Sequence, residues 1–259
     1  MSLVASAFRA GLRRAGYDLV KPEFARFGTS LFVDVGRICR EWDWLVEVVF
    51  DVGANVGQFA AEALAGFPAA RIHSFEPFPL ALAKLTAALS DPRLTTHELA
   101  LGDARGETTL YAYGAEDETS HINSLVPDAR FPRRFGYTPR EVRVRADTVD
   151  LFCQDAGIER IDVLKVDTEG FDLFVLKGAK AMLEAGRIRF VYVEFNDLFE
   201  VPGATGGALI PIAEYLRAFG YAYLVTYTDF VLYERRVAVN ANALFALPPM
   251  AMRAPASLV

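Results

Sequence analysis

Apolar residues fall in short blocks along this chain, some as unbroken runs and some as stripes of helical period. Val48-Val49-Phe50 leads without interruption to Asp51 and Val52, Gly53 and Gly57 bracket a short turn, and a helical apolar period resumes at Phe59. That pattern predicts a buried strand running into a helix. Arg71-Ile72-His73-Ser74-Phe75 predicts the next strand, ended by Glu76 and Pro77, and Leu80, Leu82, Leu85 and Leu89 fall on a helix closed by Asp91-Pro92. Thr95 to Gly102 alternates like a third strand with Ala100, Leu101 and Gly102 at its tip.

Further on, Thr108–Tyr113 and Val142–Ala146 predict two short extra strands, and Asp150 to Asp155 belongs to a helix. The run Ile161 to Val166 predicts a strand that delivers Asp167 and Glu169 to its C-terminal tip, with a helix opening at Gly170 and continuing through Ala181, its Leu173, Leu176 and Leu183 facing inward. Phe190 to Phe195 is another buried strand with Glu194, Asn196 and Asp197 at its end. A helix over 208–219, a strand over Tyr221–Thr228 and a last strand at Val231–Tyr233 or Ala243–Leu247 complete the pattern. Upstream, residues 29–45 predict a helix closing with Trp42 and Trp44. Residues 3–16 carry Val4, Phe8 and Leu12 on one stripe, shared by core-packing and interfacial membrane helices, with packing against the domain the better fit for so little apolar mass.

The expected organisation is a helical leader over 1–46, one α/β domain over 47–250 with a loop insertion at 114–140, and a loose tail over 251–259. At 259 residues, about half of them apolar, one large domain can bury a sufficient core. A net charge of −6 argues against a general nucleic-acid binder, which needs a basic footprint. Cys39 and Cys153 lack metal or disulfide-framework spacing. Arg9, Arg13 and Arg14 stand where a signal peptide needs an apolar core, and no run reaches the ~18 residues of a membrane span. The expectation is a soluble, cytoplasmic protein without a stable membrane anchor.

The spacing Gly53-Ala-Asn-Val-Gly57 is neither the G-x-G-x-x-G of dinucleotide enzymes nor a P-loop with its Lys and Ser/Thr. With Asp51 leading into it and no cation, the turn suits the sulfonium of S-adenosylmethionine better than a polyphosphate. Glu76 follows Gly57 at close to the ~20-residue spacing at which an acid meets ribose hydroxyls in such sheets. At the Ala100-Leu101-Gly102 tip, small residues either let an adenine ring lie against backbone or are a plain strand end. Between the two extra strands, Arg130, Arg133, Arg134, Arg140, Arg143 and Arg145 mix with Phe131, Phe135 and Tyr137, which fits a lid for a carbohydrate or anionic acceptor and equally a solvated edge.

FDVGANVGQF, HSFEP, ALGDARGETTLY and above all DVLKVDTEGFDLFVLKGA resemble the FkbM family of S-adenosylmethionine-dependent methyltransferases, in order from about Val48 to Phe195. The resemblance implies a class I methyltransferase fold: a doubly wound, Rossmann-like, seven-stranded sheet with one antiparallel strand and helices on both faces. It also implies O-methylation of a sugar, glycolipid, polysaccharide or polyketide-type product. Carried over, Asp51, Gly53, Asn55 and Gly57 form the turn under the methionine part and Glu76 takes the ribose hydroxyls. Asn123-Ser124-Leu125 stands where the family often has a Ser-rich turn, with Asn replacing one Ser, and Val149-Asp150 where Leu-Asp is usual.

Methyl transfer to a hydroxyl needs a group that removes its proton, and Asp167, Glu169, Glu194 and His121 are the candidates in that order. His121 reads more readily as a surface residue. Asp167 with Glu194, Asn196 or Asp197 offers hard oxygens that suit Mg²⁺ as an alternative to a metal-free base. A nicotinamide-dependent oxidoreductase and a non-catalytic module on the same fold are the rival readings, the first disfavoured by the missing third glycine and the second by the paired acids at the strand tip.

Overall fold

The computed structural model describes residues 25–113, 123–126, 138–196, 207–233 and 236–249. Helix α1 (Leu31–Glu41) precedes strand β1 (Val48–Val52), and then β and α segments alternate: α2 (Gln58–Gly66), β2 (Arg71–Phe75), α3 (Pro79–Ala88) and β3 (Leu94–His97). Strands β4 (Ala100–Leu101), β5 (Gly106–Ala112) and β6 (Arg140–Asp147) come next, followed by α4 (Val149–Ala156) and β7 (Ile161–Val166). Two short helices, α5 (Asp172–Lys177) and α6 (Lys180–Glu184), lead to β8 (Ile188–Asn196), α7 (Leu209–Arg217), β9 (Ala222–Tyr233) and β10 (Arg236–Ala246). Leader residues 1–24, tail residues 250–259 and most of the 114–140 insertion lie outside the described residues.

Seven strands form one sheet in the order β3-β2-β1-β7-β8-β10-β9, all parallel except β10, which runs antiparallel to both β8 and β9. Every residue of β1 and of β7 is buried, as central parallel strands covered on both faces require. One face packs α4 to α7 through Val149, Cys153, Leu176, Leu183, Ile212 and Leu216; the other packs α1 and α2 through Leu31, Val35, Ala63 and Phe67. Strand order reverses between β1 and β7, so the turns leaving their C-terminal ends diverge and open a crevice there. At the opposite end, the fully buried Asp162 pins the two strands, accepting from the Glu47 and Val48 amides at 2.8 and 2.9 Å and pairing with Arg160 and Arg189.

Three expectations are corrected. The predicted third strand is two: the chain turns back at Leu99, whose amide donates to the His97 carbonyl, and Ala100-Leu101 joins a separate sheet of order β4-β6-β5 made with the two extra strands. The predicted helix from Gly170 to Ala181 is broken at Gly178, where a Cβ would stand 1.8 Å from the Gly102 carbonyl oxygen, so that backbone approach stops α5. Of the two positions expected for the last strand, Val231–Tyr233 instead ends β9, whereas Ala243–Leu247 falls on the longer β10.

Candidate active site

A polar row crosses the buried sheet just below its C-terminal edge. In register, Ser74 of β2 stands beside Asp51 of β1, Asp51 beside Lys165 of β7, and Lys165 beside Tyr192 of β8. Ser74 donates to Asp51 at 3.3 Å, and the Lys165 ammonium lies 3.1 Å from the other Asp51 oxygen. Lys165 is 4 % exposed and Asp51 fully buried, so each charge depends on the other for solvation. Burial alone would lower the Lys165 pKa, but Asp51 and then Asp167 outweigh it and hold the ammonium above its ordinary value. From there Lys165 reaches upward, donating to the Gly53 carbonyl at 2.9 Å and pairing with Asp167 at 3.4 Å. One buried cation thus ties the turn after β1 to the turn after β7.

Four amides of the turn after β1 are spent internally. Gly53 and Ala54 donate to the Phe75 carbonyl, Asn55 to the Glu76 carboxylate at 2.8 Å, and Gly57 to the Ala54 carbonyl. Glu76 also accepts from the Phe78 amide at 2.8 Å, so its carboxylate is held from both sides at the cleft wall. Burial pushes its pKa up to about 6, against the lowering pull of those two amides. Gly53, at φ 76°, has no room for a Cβ because the Asp167 carbonyl oxygen would lie 1.8 Å from it; Gly57, at φ 93°, lets α2 start against Leu85 and Leu89 of α3. Both glycines are thus required by the close approach of backbone and helix at the turn.

Beyond β7 the chain makes a tight turn through Asp167, Thr168 and Glu169, with Glu169 at φ 54° and Gly170 at φ 94°. A glutamate in the left-handed region is held there from two directions. Asp172, itself buried, accepts from the Thr168 amide and hydroxyl and from the Gly170 amide at 3.0 to 3.2 Å, while Ser124 donates to the Glu169 carbonyl at 2.8 Å. Ser124 is in turn fixed by a two-way backbone bridge to Tyr111 of β5. Asp167, Glu169 and Glu194 each bring a carboxylate oxygen within 4.8 Å of the others. Burial, reinforced by Asp167 and Asp172, pushes Glu169 up to about 8; burial, Asp167 and Glu169 hold Glu194 well above the carboxylate range; burial and Asp167 raise Asp172 to about 6.

These groups border a cleft of about 580 Å³. Of the residues singled out in the sequence, Gly53, Asn55, Glu76, Ala100, Leu101, Asp167, Glu169 and Glu194 line it. Asp51 and Gly57 do not: the first lies one layer below, under Lys165, and the second faces α3. His121 and Asp197 lie outside the described residues. Sequence reasoning gave no role to Lys165 or Asp172. The signal for Lys165 was present, since a lysine inside the run Ile-Asp-Val-Leu-Lys-Val is costly without a partner across the sheet. Asp172 stands two residues after Gly170, where a side chain can cap the preceding turn.

The donor set fits S-adenosylmethionine. A polyphosphate would find no offered amide among Gly53, Ala54, Asn55 and Gly57 and no cation besides the engaged Lys165 among the described lining residues, whereas acids suit a sulfonium and ribose hydroxyls.

A family model described as the methyltransferase FkbM domain matches residues 51–223. Among curated proteins, the 2-O-methyltransferase NoeI of Sinorhizobium fredii is 28% identical over 157 residues, 58% of this chain and 63% of that protein. The 31-O-demethyl-FK506 methyltransferase FkbM of Streptomyces tacrolimicus is 28% identical over 199 residues, 68% of this chain and 72% of its own length. The AMB antimetabolite synthetase AmbE of Pseudomonas aeruginosa is 28% identical over 244 residues, 82% of this chain but 11% of that protein. The chain thus spans less than two thirds of NoeI and a small part of AmbE.

Proposed function

Because the chain belongs to the FkbM methyltransferase family, we propose that it methylates a hydroxyl of a sugar, a glycolipid or polysaccharide, or a polyketide-type product, using S-adenosylmethionine. The observation that carries this reading is the meeting, in one cleft at the strand-order reversal, of the Glu76 carboxylate and the Asp167, Glu169 and Glu194 cluster. Two relatives whose names place their methyl transfer at oxygen, NoeI and FkbM, support the choice of atom.

When bound, S-adenosylmethionine would supply an electrophilic methyl group on a positively charged sulfur. The chain has to hold the partners in line and accept the proton that the acceptor loses. In this reading Glu76, whose carboxylate is oriented by the Asn55 and Phe78 amides, would accept the two ribose hydroxyls. Asp167, tethered to Lys165, and Glu169, with a pKa pushed close to neutrality, are the groups assigned to take the proton. Glu194, whose carboxyl is held well above the ordinary carboxylate range by burial and then by Asp167, completes the cluster.

A second reading has a specific observation behind it: three carboxylate oxygens within 4.8 Å of one another suit a hard divalent cation such as Mg²⁺, which would acidify the hydroxyl. Among the described residues, Glu169 joins Asp167 and Glu194 in that set. Calorimetry tests the class. S-adenosylhomocysteine should bind while NAD and ATP give no heat, and binding of NAD with no response to S-adenosylhomocysteine would return the chain to the oxidoreductase reading.

A further inference from the structure

A second polar row crosses the sheet one layer above Lys165. Strand residues two apart share a face, so Tyr192 and Glu194 follow Phe190, and Asn242 precedes Leu244, on the face that packs α1 and α2. Asn242 of β10 stands in register opposite Glu194 of β8 and, on its other side, opposite Tyr227 of β9. Tyr192, Glu194 and Asn242 all line the cleft, as do Gln58, Phe59 and Glu62 of α2, and the Phe59 and Tyr192 rings lie 6.2 Å apart and 21° from parallel. In strand order, β8 and β10 lie on the far side of the acidic turn after β7 from Glu76, which follows β2. A cofactor whose ribose meets Glu76 and whose methyl meets the acids of that turn therefore leaves the part of the cleft over β8 and β10 to the acceptor.

We infer that the acceptor is a vicinal diol on a saturated ring, as in a pyranose, held over β8 and β10 with one hydroxyl at the acids and its neighbour on the Asn242 carboxamide. The inference rests on the methyl-transfer reading and deepens it by placing the acceptor. Residues directly opposite across antiparallel strands have Cβ atoms about 5 Å apart, so Glu194 and Asn242 can each bond one of two oxygens on adjacent carbons. A carboxamide both donates and accepts, which suits a hydroxyl of either orientation, whereas a lone alcohol presents no second oxygen to it. The half-buried rings of Tyr192 and Phe59 beside them offer apolar surface to the C–H bonds of a saturated ring. The hydroxyl at the acids forms the new O–CH₃ bond and yields its proton to a carboxylate, the electron pair of the broken S–CH₃ bond staying on sulfur. The hydroxyl on Asn242 keeps its proton, and its capture fixes which of the two oxygens reacts.

The test uses the full chain, methyl-labelled S-adenosylmethionine, and as acceptors methyl pyranosides and short oligosaccharides, their deoxy analogues lacking the hydroxyl next to the labelled one, and monohydroxy alcohols. Calorimetry with S-adenosylhomocysteine is run alongside. Label should enter the pyranose set, and loss of the neighbouring hydroxyl should raise KM about tenfold, the order of one lost hydrogen bond. Asn242→Ala should impose the same rise on the intact pyranoside and almost none on its deoxy analogue, with S-adenosylhomocysteine affinity unchanged. Label chiefly in the monohydroxy alcohols, equal KM of the parent for intact and deoxy acceptors, or a folded Asn242→Ala variant that keeps the parent KM or loses S-adenosylhomocysteine binding overturns the inference. The deoxy comparison uses the parent alone, so it decides the matter even where Asn242→Ala fails to fold. Absence of label from the pyranose set while S-adenosylhomocysteine still binds also overturns the inference and leaves the family reading standing. Failure of the parent to bind S-adenosylhomocysteine removes the methyl-transfer reading underneath.

Discussion

The Ser124 hydroxyl donates a 2.8 Å hydrogen bond to the carbonyl oxygen of Glu169, across 45 residues of sequence, and so joins the wall formed at β5 to the acidic turn after β7. The same oxygen accepts from the Val126 amide at 3.0 Å, which leaves its lone proton aimed at Glu169. Ser124→Ala removes a buried donor and leaves a left-handed glutamate held by Asp172 alone. Methyl transfer should fall by roughly tenfold, with S-adenosylhomocysteine affinity nearly unchanged, for a lost hydrogen bond of about 1–3 kcal/mol. Ser124→Thr should recover most of the rate. Equal rates for the alanine variant and the parent would show that the turn holds without Ser124.

Lys165 and Asp51 form a buried pair in cross-strand register. Lys165→Met should strand the Asp51 charge and destabilise the protein by about 3–5 kcal/mol, read from urea unfolding. Combining it with Asp51→Asn should cost clearly less than the two single changes added together. Additive costs would mean that the two residues do not lean on each other.

The two glycines of the turn should differ in their tolerance. Both have positive φ, but a Cβ at Gly53 meets backbone, the Asp167 carbonyl, whereas at Gly57 it meets the ends of the Leu85 and Leu89 side chains, which can shift. Gly53→Ala should therefore abolish S-adenosylhomocysteine binding and lower the melting temperature by many degrees. Gly57→Ala should fold and bind, at a cost of about 1–2 kcal/mol. The reverse ranking in a thermal melt would contradict the close approach of the two turns.

Glu76 gives opposite pH signatures for binding and for stability. If its anion accepts the ribose hydroxyls, S-adenosylhomocysteine affinity should rise with pH until about 6 and then level off, because below that value the folded carboxyl is protonated. For stability, the folded carboxyl holds its proton more tightly than the usual value of 4.5, so the Glu76 contribution declines as pH rises from about 4.5 to about 6. Glu76→Gln should flatten the binding profile, and Glu76→Ala should cost about 1–3 kcal/mol of affinity. An affinity profile of the parent that is already flat between pH 5 and 7 would place the hydroxyls elsewhere.

Asp167→Asn and Glu169→Gln preserve volume, so the fold should survive while the rate drops by ~10²–10⁴-fold if these groups take the acceptor proton. Activity that vanishes with EDTA and returns with Mg²⁺ would favour the cation reading; indifference to EDTA would favour direct proton transfer. Full activity of both variants would move the assignment to Glu194 or His121.

The parallel core was legible because its strands carry short apolar and β-branched blocks and because three of them end in an acid at the same edge: Glu76 after β2, Asp167 after β7, Glu194 near the end of β8. What escaped was set by contacts distant in sequence. The alternation of Thr95 to Gly102 is the same whether it feeds one sheet or two, and only the pairing of Ala100 with Ala146 decides. The break at Gly178 follows from the backbone of Gly102, 76 residues earlier, which no local propensity records. Asp51 looked like a ligand-facing group because it leads into the turn; its register opposite Lys165 turns it into a support. The length of β10 was hidden by Asn240 and Asn242, polar side chains on a strand whose backbone partners are β8 and β9.

The small sheet has its own apolar cluster, in which Phe78, Ala81, Ala100, Leu110, Ala112 and Val144 pack apart from the two clusters that cover the seven-stranded sheet. Its consequence is evolutionary. One side of the cleft belongs to strand tips that the main core holds in place, while the facing side is a separately packed panel whose residues can drift without unsettling the first. Descendants of such a protein can trade one acceptor for another by rewriting the panel and its flanking turns, keeping the methyl donor's berth as inherited capital.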